Sequence, residues 1–459
     1  MHRRRFLAGA ASVGAAYAFG TGFWRSAFAD PAVAGDGPYG PLAPPDANGI
    51  RLPAGFTSSV VAESLLPVAG TTLLWHLAPD GAATFPTGDG GWVYVCNAEV
   101  PFAGGVNALR YDAGGIVVDG YSILKTTSVN CAGGPTPWGT WLSCEEYDLG
   151  PPLAGMVWEC EPGGVGQGLP RPALGRYSHE AVTVDPVGRR LYLSEDQGDS
   201  RFYRFTPTTW SDDGVGVLDA GVLEAAVVAP DGAVTWLVVP DPSATLQSTR
   251  AQTAGATAFD GGEGLWFDNG TVYLATKGDA RVWAYDTIAE TIAVLYDATP
   301  VGPDEPDRIK VDNLVGTAAG ELWVAEDSGD RNRIAVLSGI GTAPIVSTFL
   351  EVLEAATGSE ITGPTFDPSG TRLFFSSQRG ASIRDGEGGT SFRGITYLVT
   401  GPFNGATPTA PPATGGAAAP AEARAGATPA TGAAVPVGAA GIAVAGAAVV
   451  GHLARRAEV

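Results

Sequence analysis

The chain has 459 residues and a formal net charge of −21, with 65 glycines, 35 prolines and four histidines. So acidic a composition excludes a nucleic-acid binder, whose phosphate contacts need a basic footprint. Two of the histidines fall near the chain ends, leaving His76 and His179, so a poly-histidine zinc site is excluded too.

The chain opens MHRRRFLAGAASVGAAYAFG, with Arg3 and Arg4 just ahead of Phe6, Leu7 and an Ala/Gly-rich apolar run. Ala27-Phe28-Ala29 then offers small residues for cleavage. This order predicts a twin-arginine signal peptide over 1–29. That pathway exports proteins already folded, often with a cofactor bound, so the working domain is expected outside the cytoplasm. Removing 1–29 takes four arginines and no acidic residue, moving the charge from −21 to −25. Cys96, Cys131, Cys144 and Cys160 allow three disulfide pairings in an oxidising compartment, and no two have zinc-knuckle spacing.

Residues 30–401 repeat one pattern: a short strand, a Gly/Pro/Asp turn, then an aromatic or β-branched strand ending in polar residues. The second strands read WVYVCNAE (92–99), TWLSCEE (140–146), RLYLSED (190–196), TVYLATK (271–277), ELWVAED (321–327) and RLFFSSQ (372–378). Turns such as FDNGT and DPSGT carry hairpin chemistry. The spacing is roughly 50 residues, with a longer gap between the third and fourth units, as strand-rich repeats that must stack to bury their faces require. The expected fold is all-β: a six-bladed β-propeller with an insertion between the third and fourth repeat units. A multi-sheet sandwich is the alternative.

Beyond this domain, 402–431 is an Ala/Pro/Thr/Gly-rich stretch without periodicity, expected to be a disordered stalk. Residues 432–451 carry no charge and are long enough to span a bilayer, and Arg455 and Arg456 follow. They predict a C-terminal membrane anchor with a cytoplasmic basic tail at 452–459. A soluble low-complexity tail is the alternative.

The hairpins also place chemistry. Second strands end on Glu99, Cys144-Glu145-Glu146, Glu195-Asp196, Lys277 and Glu326-Asp327, and first strands start on Asn130, His179-Glu180, Glu263 and Asp312-Asn313. The two positions lie side by side at one edge of each unit, so a propeller gathers them around one channel mouth. Taken one unit at a time these are ordinary strand-end polars; repeated in five units they point to a metal-lined mouth. Converging carboxylates repel unless cations lie between them, and oxygen donors suit Ca2+. A thiolate such as Cys144 favours iron. Lys277, the only basic residue at a second-strand end, is the candidate electrostatic clamp.

The segments TPWGTWLSCEE (136–146), GRYSHEAVTVDP (175–186), YLSEDQGDSRFYRF (192–205), EGLWFDNGTVYLATK (263–277) and ITGPTFDPSGTRLFF (361–375) resemble the PhoX-type alkaline phosphatases. The resemblance implies a twin-arginine-exported six-bladed propeller that hydrolyses phosphate monoesters with a mixed iron–calcium cluster. It implies Fe3+ on Cys144 and acidic metal ligands among Glu145, Glu180, Glu195, Glu263 and Glu326. Asn97 is expected to face the phosphoryl group and Lys277 to help hold it. The family's Asn-His-Glu run reads Asn97-Ala98-Glu99 here, so its histidine is lost. The implied partners are small phosphorylated metabolites, the export machinery and a membrane, with no nucleic acid. Two other readings stay open: a calcium-dependent lactonase-like hydrolase, and a non-catalytic, calcium-braced surface module. No phosphate loop, dinucleotide fingerprint or nucleophile elbow is present.

Overall fold

A computed structural model describes residues 31–164, 166–298, 309–328, 331–353, 359–380 and 393–404. The expected signal, nearly all of the stalk, the anchor and the basic tail lie outside them. Among the described residues no helix is long and apolar enough to cross a membrane.

Turn chemistry sets the strands. At Asp268-Asn269-Gly270-Thr271, Asn269 and Gly270 both adopt positive φ (46° and 87°), and Asp268 pairs with Thr271. That is the two-residue hairpin an Asn-Gly pair favours, because both central residues must take the left-handed conformation.

Six sheets result. Their inner strands are Pro79–Pro86, Asn130–Pro135, His179–Asp185, Gly262–Asp268, Val311–Gly316 and Ile361–Phe366, defining blades 1 to 6. Each inner strand pairs antiparallel with a second strand: Trp92–Ala98, Trp141–Glu145, Arg190–Glu195, Thr271–Thr276, Leu322–Glu326 and Arg372–Ser377. These six are the repeats read from the sequence. The inner strands touch one another all the way round, blade 6 meeting blade 1, so they enclose the axis.

Six apolar clusters fill the six interfaces between neighbouring blades. The long third gap becomes a fifth strand on blade 3, Val234–Val238, and a short helix, Thr249–Gln252, capped by Ser248. Blade 6 is completed by a segment from before blade 1: Thr57–Glu63 pairs antiparallel with Ile395–Thr400. Val33–Ala34 (parallel) and Ile50–Arg51 (antiparallel) pair with the outer strand of blade 5, Ile345–Val352.

Candidate metal centre

Alternation along a strand sends side chains to the two faces of a blade, and both faces are covered by neighbouring blades. A side chain reaches the channel only where the ladder ends or is broken, and here it is broken in every blade. The register slips by one residue near the start of each inner strand, between Pro79 and Ala82, Asn130 and Gly133, His179 and Val182, Gly262 and Leu265, Val311 and Leu314, and Thr362 and Thr365. Such bulges re-aim a side chain. The first five carry Asp80, Cys131, Glu180, Glu263 and Asp312; in blade 6, Glu360 precedes the strand. Small residues follow in four of these five pairs, Gly81, Ala132, Ala181 and Gly264. A Cβ on Gly81 would lie 2.5 Å from Ala132 Cα of blade 2, and one on Gly264 would lie 2.5 Å from Leu314 N of blade 5.

The second contribution is the residue just past each second strand: Glu99, Glu146, Asp196, Lys277, Asp327 and Gln378. Together these positions place ligand atoms within 4.8 Å of one another in four linked groups: Asp80, Glu99 and Cys131; Cys131, Glu146 and Glu180; Glu180, Glu263 and Asp312; Asp312, Asp327 and Glu360. Shared members join the groups into an arc over all six blades. Gln378 closes it, its Nε2 donating to Asp80 Oδ2 and Glu99 Oε2, both at 2.6 Å.

Eight carboxylates and a thiol therefore line a buried mouth. Burial, then the neighbouring carboxylates, push Asp80, Glu180 and Glu360 well above the ordinary carboxylate range. Asp312 rises to about 7 by burial, with Lys277 opposing. Burial and the same carboxylates push the Cys131 thiol up, and it donates to Glu180 Oε1 at 3.4 Å. Asp80 Oδ1, Glu99 Oε1 and Glu180 Oε2 are buried with no hydrogen-bond partner. Orphaned oxygens facing a shared space are costly unless a cation binds them, so the residues fit a polyvalent metal centre.

Glu180, Glu263 and Lys277 of the expected set come together here. The other five do not. Cys144 points sideways into the apolar interface between blades 2 and 3, among Leu142, Val157 and Val182. Glu145 accepts from the Ser128 and Met156 backbone N–H groups. Glu195 pairs with Arg250 at 2.5 Å and accepts from Tyr203 Oη at 2.9 Å. Glu326 takes a two-point contact from Arg333 at 2.6 and 2.8 Å.

Asn97 is saturated. Its Nδ2 donates to the Cys131 and Ala132 carbonyls, both at 2.8 Å, and its Oδ1 accepts from Trp141 Nε1 and Ser143 Oγ. It holds the blade 2 bulge in place and has no donor left for a ligand. His179 stacks on Tyr177 and donates from Nε2 to the Gly175 carbonyl at 3.0 Å. Glu99, Glu146, Asp312 and Asp327 were expected at the mouth but not among the ligands; the residues missed altogether were Asp80, Cys131, Glu360 and Gln378. Their signal was the acid-or-cysteine plus small-residue pair opening most inner strands. All four cysteines are buried and free of disulfides.

Fold and site define a class: a six-bladed propeller with a ring of acidic residues and one thiol at its channel mouth, suited to metal binding. Residues 103–293 match the family model described as alkaline phosphatase PhoX, in line with the sequence resemblance. The structure resembles Pseudomonas fluorescens PhoX in complex with vanadate, a transition state analogue, with TM-score 0.62 and 17% identity, covering 80% of this chain and 98% of that one. Weaker likenesses include a gluconolactonase from Xanthomonas campestris (TM-score 0.40, 16% identity, 80% of this chain and 99% of that one). Another is the calcium-binding regucalcin from Agrobacterium tumefaciens (TM-score 0.40, 14% identity, 76% of this chain and 97% of that one). No curated protein sequence gives a match.

Proposed function

We propose that this protein is a metal-dependent phosphomonoesterase whose centre lies in the acidic ring. One observation carries the reading: Cys131, Glu146, Glu180 and Glu263, which the bulges and a second-strand end bring together, all fall inside the stretch that matches the PhoX family model. The solved relative with vanadate, a transition state analogue, supports phosphoryl chemistry for a propeller of this kind.

Asp80, Glu99, Cys131, Glu146 and Glu180 would hold iron, because they surround the one thiol; the all-oxygen groups through Asp312 and Glu360 would hold calcium. When bound, the ions supply Lewis-acid charge to a phosphoryl group and to its attacking water. The chain's own residues prepare the place. Gln378 fixes the carboxylates of Asp80 and Glu99, and Asn97 positions Cys131 through its carbonyl. Lys277 keeps a fifth of its side chain exposed and brings positive charge to the mouth for an anionic substrate.

The test pairs two variants with elemental analysis and p-nitrophenyl phosphate hydrolysis. Cys131→Ala should lose iron and at least a hundredfold in activity. Cys144→Ala should keep both and lose only about 1 kcal/mol of stability, as a modest core truncation does. Iron lost from Cys144→Ala and kept by Cys131→Ala overturns the assignment; no turnover by wild type overturns the function. Export and outer-face tethering rest on the patterns of 1–29 and 432–451. Replacing Arg3 and Arg4 by lysine should hold the protein in the cytoplasm, and removing 432–459 should release it from membranes, both read by fractionation.

A further inference from the structure

The residue just past the second strand is an acid in four blades, Glu99, Glu146, Asp196 and Asp327, and an amide in blade 6, Gln378. Blade 4 alone puts a cation there. The Lys277 ammonium lies 2.7 Å from Glu263 Oε1, 3.4 Å from Asp327 Oδ2 and 3.6 Å from Asp196 Oδ2, carboxylates from blades 4, 5 and 3. Its backbone is held in place as well, the Lys277 N–H donating to the Gly261 carbonyl at 2.8 Å.

These three carboxylates enclose the ammonium as ligands enclose a hard cation. An ammonium delivers one positive charge at hydrogen-bonding distance, whereas Ca2+ delivers two and draws oxygens to about 2.3–2.6 Å. The same three side chains therefore supply a cation site that the chain has filled with its own side chain. Burial disfavours the charged lysine, but Glu263, then Asp327, Asp312 and Glu360, outweigh it and hold the ammonium protonated. Elsewhere on the ring, Asp80 Oδ1, Glu99 Oε1 and Glu180 Oε2 are buried with neither a hydrogen bond nor an ammonium beside them among the described residues.

We propose that Lys277 is a resident cation that takes the place of one divalent ion between blades 3, 4 and 5, so that it sets how many metals the ring binds. This rests on the reading of the ring as a metal centre. A neutral side chain in its place leaves Glu263, Asp196 and Asp327 without their counter-charge, which a further ion then supplies. An arginine keeps the charge and keeps the ion out.

Metal content decides the matter independently of turnover. Wild type, Lys277→Met, Lys277→Gln and Lys277→Arg are dialysed against calcium, then assayed by elemental analysis and native mass spectrometry, with circular dichroism reporting the fold. Lys277→Met and Lys277→Gln should each hold one more calcium ion per chain than wild type, and Lys277→Arg the same number as wild type. A neutral variant that folds only with calcium present supports the proposal too, since the ion then replaces the lost charge. Equal calcium in wild type and both neutral variants overturns the proposal and leaves the metal centre standing. No bound metal in any sample overturns both.

Discussion

Both ring nitrogens of His76 are buried without a hydrogen-bond partner, although the residue as a whole keeps some surface. Burial holds the imidazole down to about 3, with the Asn97 backbone opposing. Between the ordinary pKa of about 6.5 and that value, the unfolded chain binds a proton that the folded protein refuses. The stability this residue contributes is full above about pH 6.5 and is lost as pH falls toward 3, by about 1.4 kcal/mol per unit. His76→Leu should therefore show a shallower fall in melting temperature than wild type between pH 6 and pH 4; parallel curves would contradict the account. Asn97 makes the opposite case. Its four hydrogen bonds consume the whole amide, so its importance lies in fixing where Cys131 sits.

The bulge governs the site at the scale of the element. At Gly81 any side chain meets the backbone of blade 2, since a Cβ would stand 2.8 Å from the Cys131 carbonyl oxygen. Gly81→Val should cost about 3 kcal/mol, the range of overpacked cores, and should lower metal content by displacing Cys131. Normal melting and normal metal would show that the inner strands yield more than their packing suggests. The same bulge explains what the sequence did and did not disclose. Six hairpins were legible because turn residues and strand alternation recur, and Glu180 and Glu263 were legible because they open inner strands. The acidic cluster at 144–146 was ambiguous by one residue. Within the strand, Cys144 packs against blade 3 and Glu145 is held by the Ser128 and Met156 backbone, so only Glu146, just past the pairing, reaches the channel. No periodicity announces which residue of a pair lies beyond the last ladder bond. Cys131 was hidden for the matching reason: a bulge moves it out of register with its neighbours.

Across the whole molecule the ring couples metal to fold. The candidate ligands of the arc come from all six blades, so cations bound there would neutralise charges that otherwise push the blades apart. Chelation with EDTA should lower the melting temperature by several degrees, since an ion held at a hundred times its Kd contributes about 2.7 kcal/mol. The loss should shrink at high salt, which screens the repulsion. An unchanged melting curve would mean that the carboxylates stay protonated and need no cation.

Closure of blade 6 by Thr57–Glu63 has a bearing on how such a molecule is made. That strand leaves the ribosome before any blade exists, while its partner, Ile395–Thr400, emerges after the inner and second strands of all six. Until that partner is made, Thr57–Glu63 has no strand to pair with in its sheet, and an unpaired strand is the kind of edge that recruits other chains. A product terminated early is thus no smaller working propeller, because the strand that closes blade 6 still lacks its partner. Closure of the ring waits on a pairing between the two ends of the propeller domain, the last contact the chain can make.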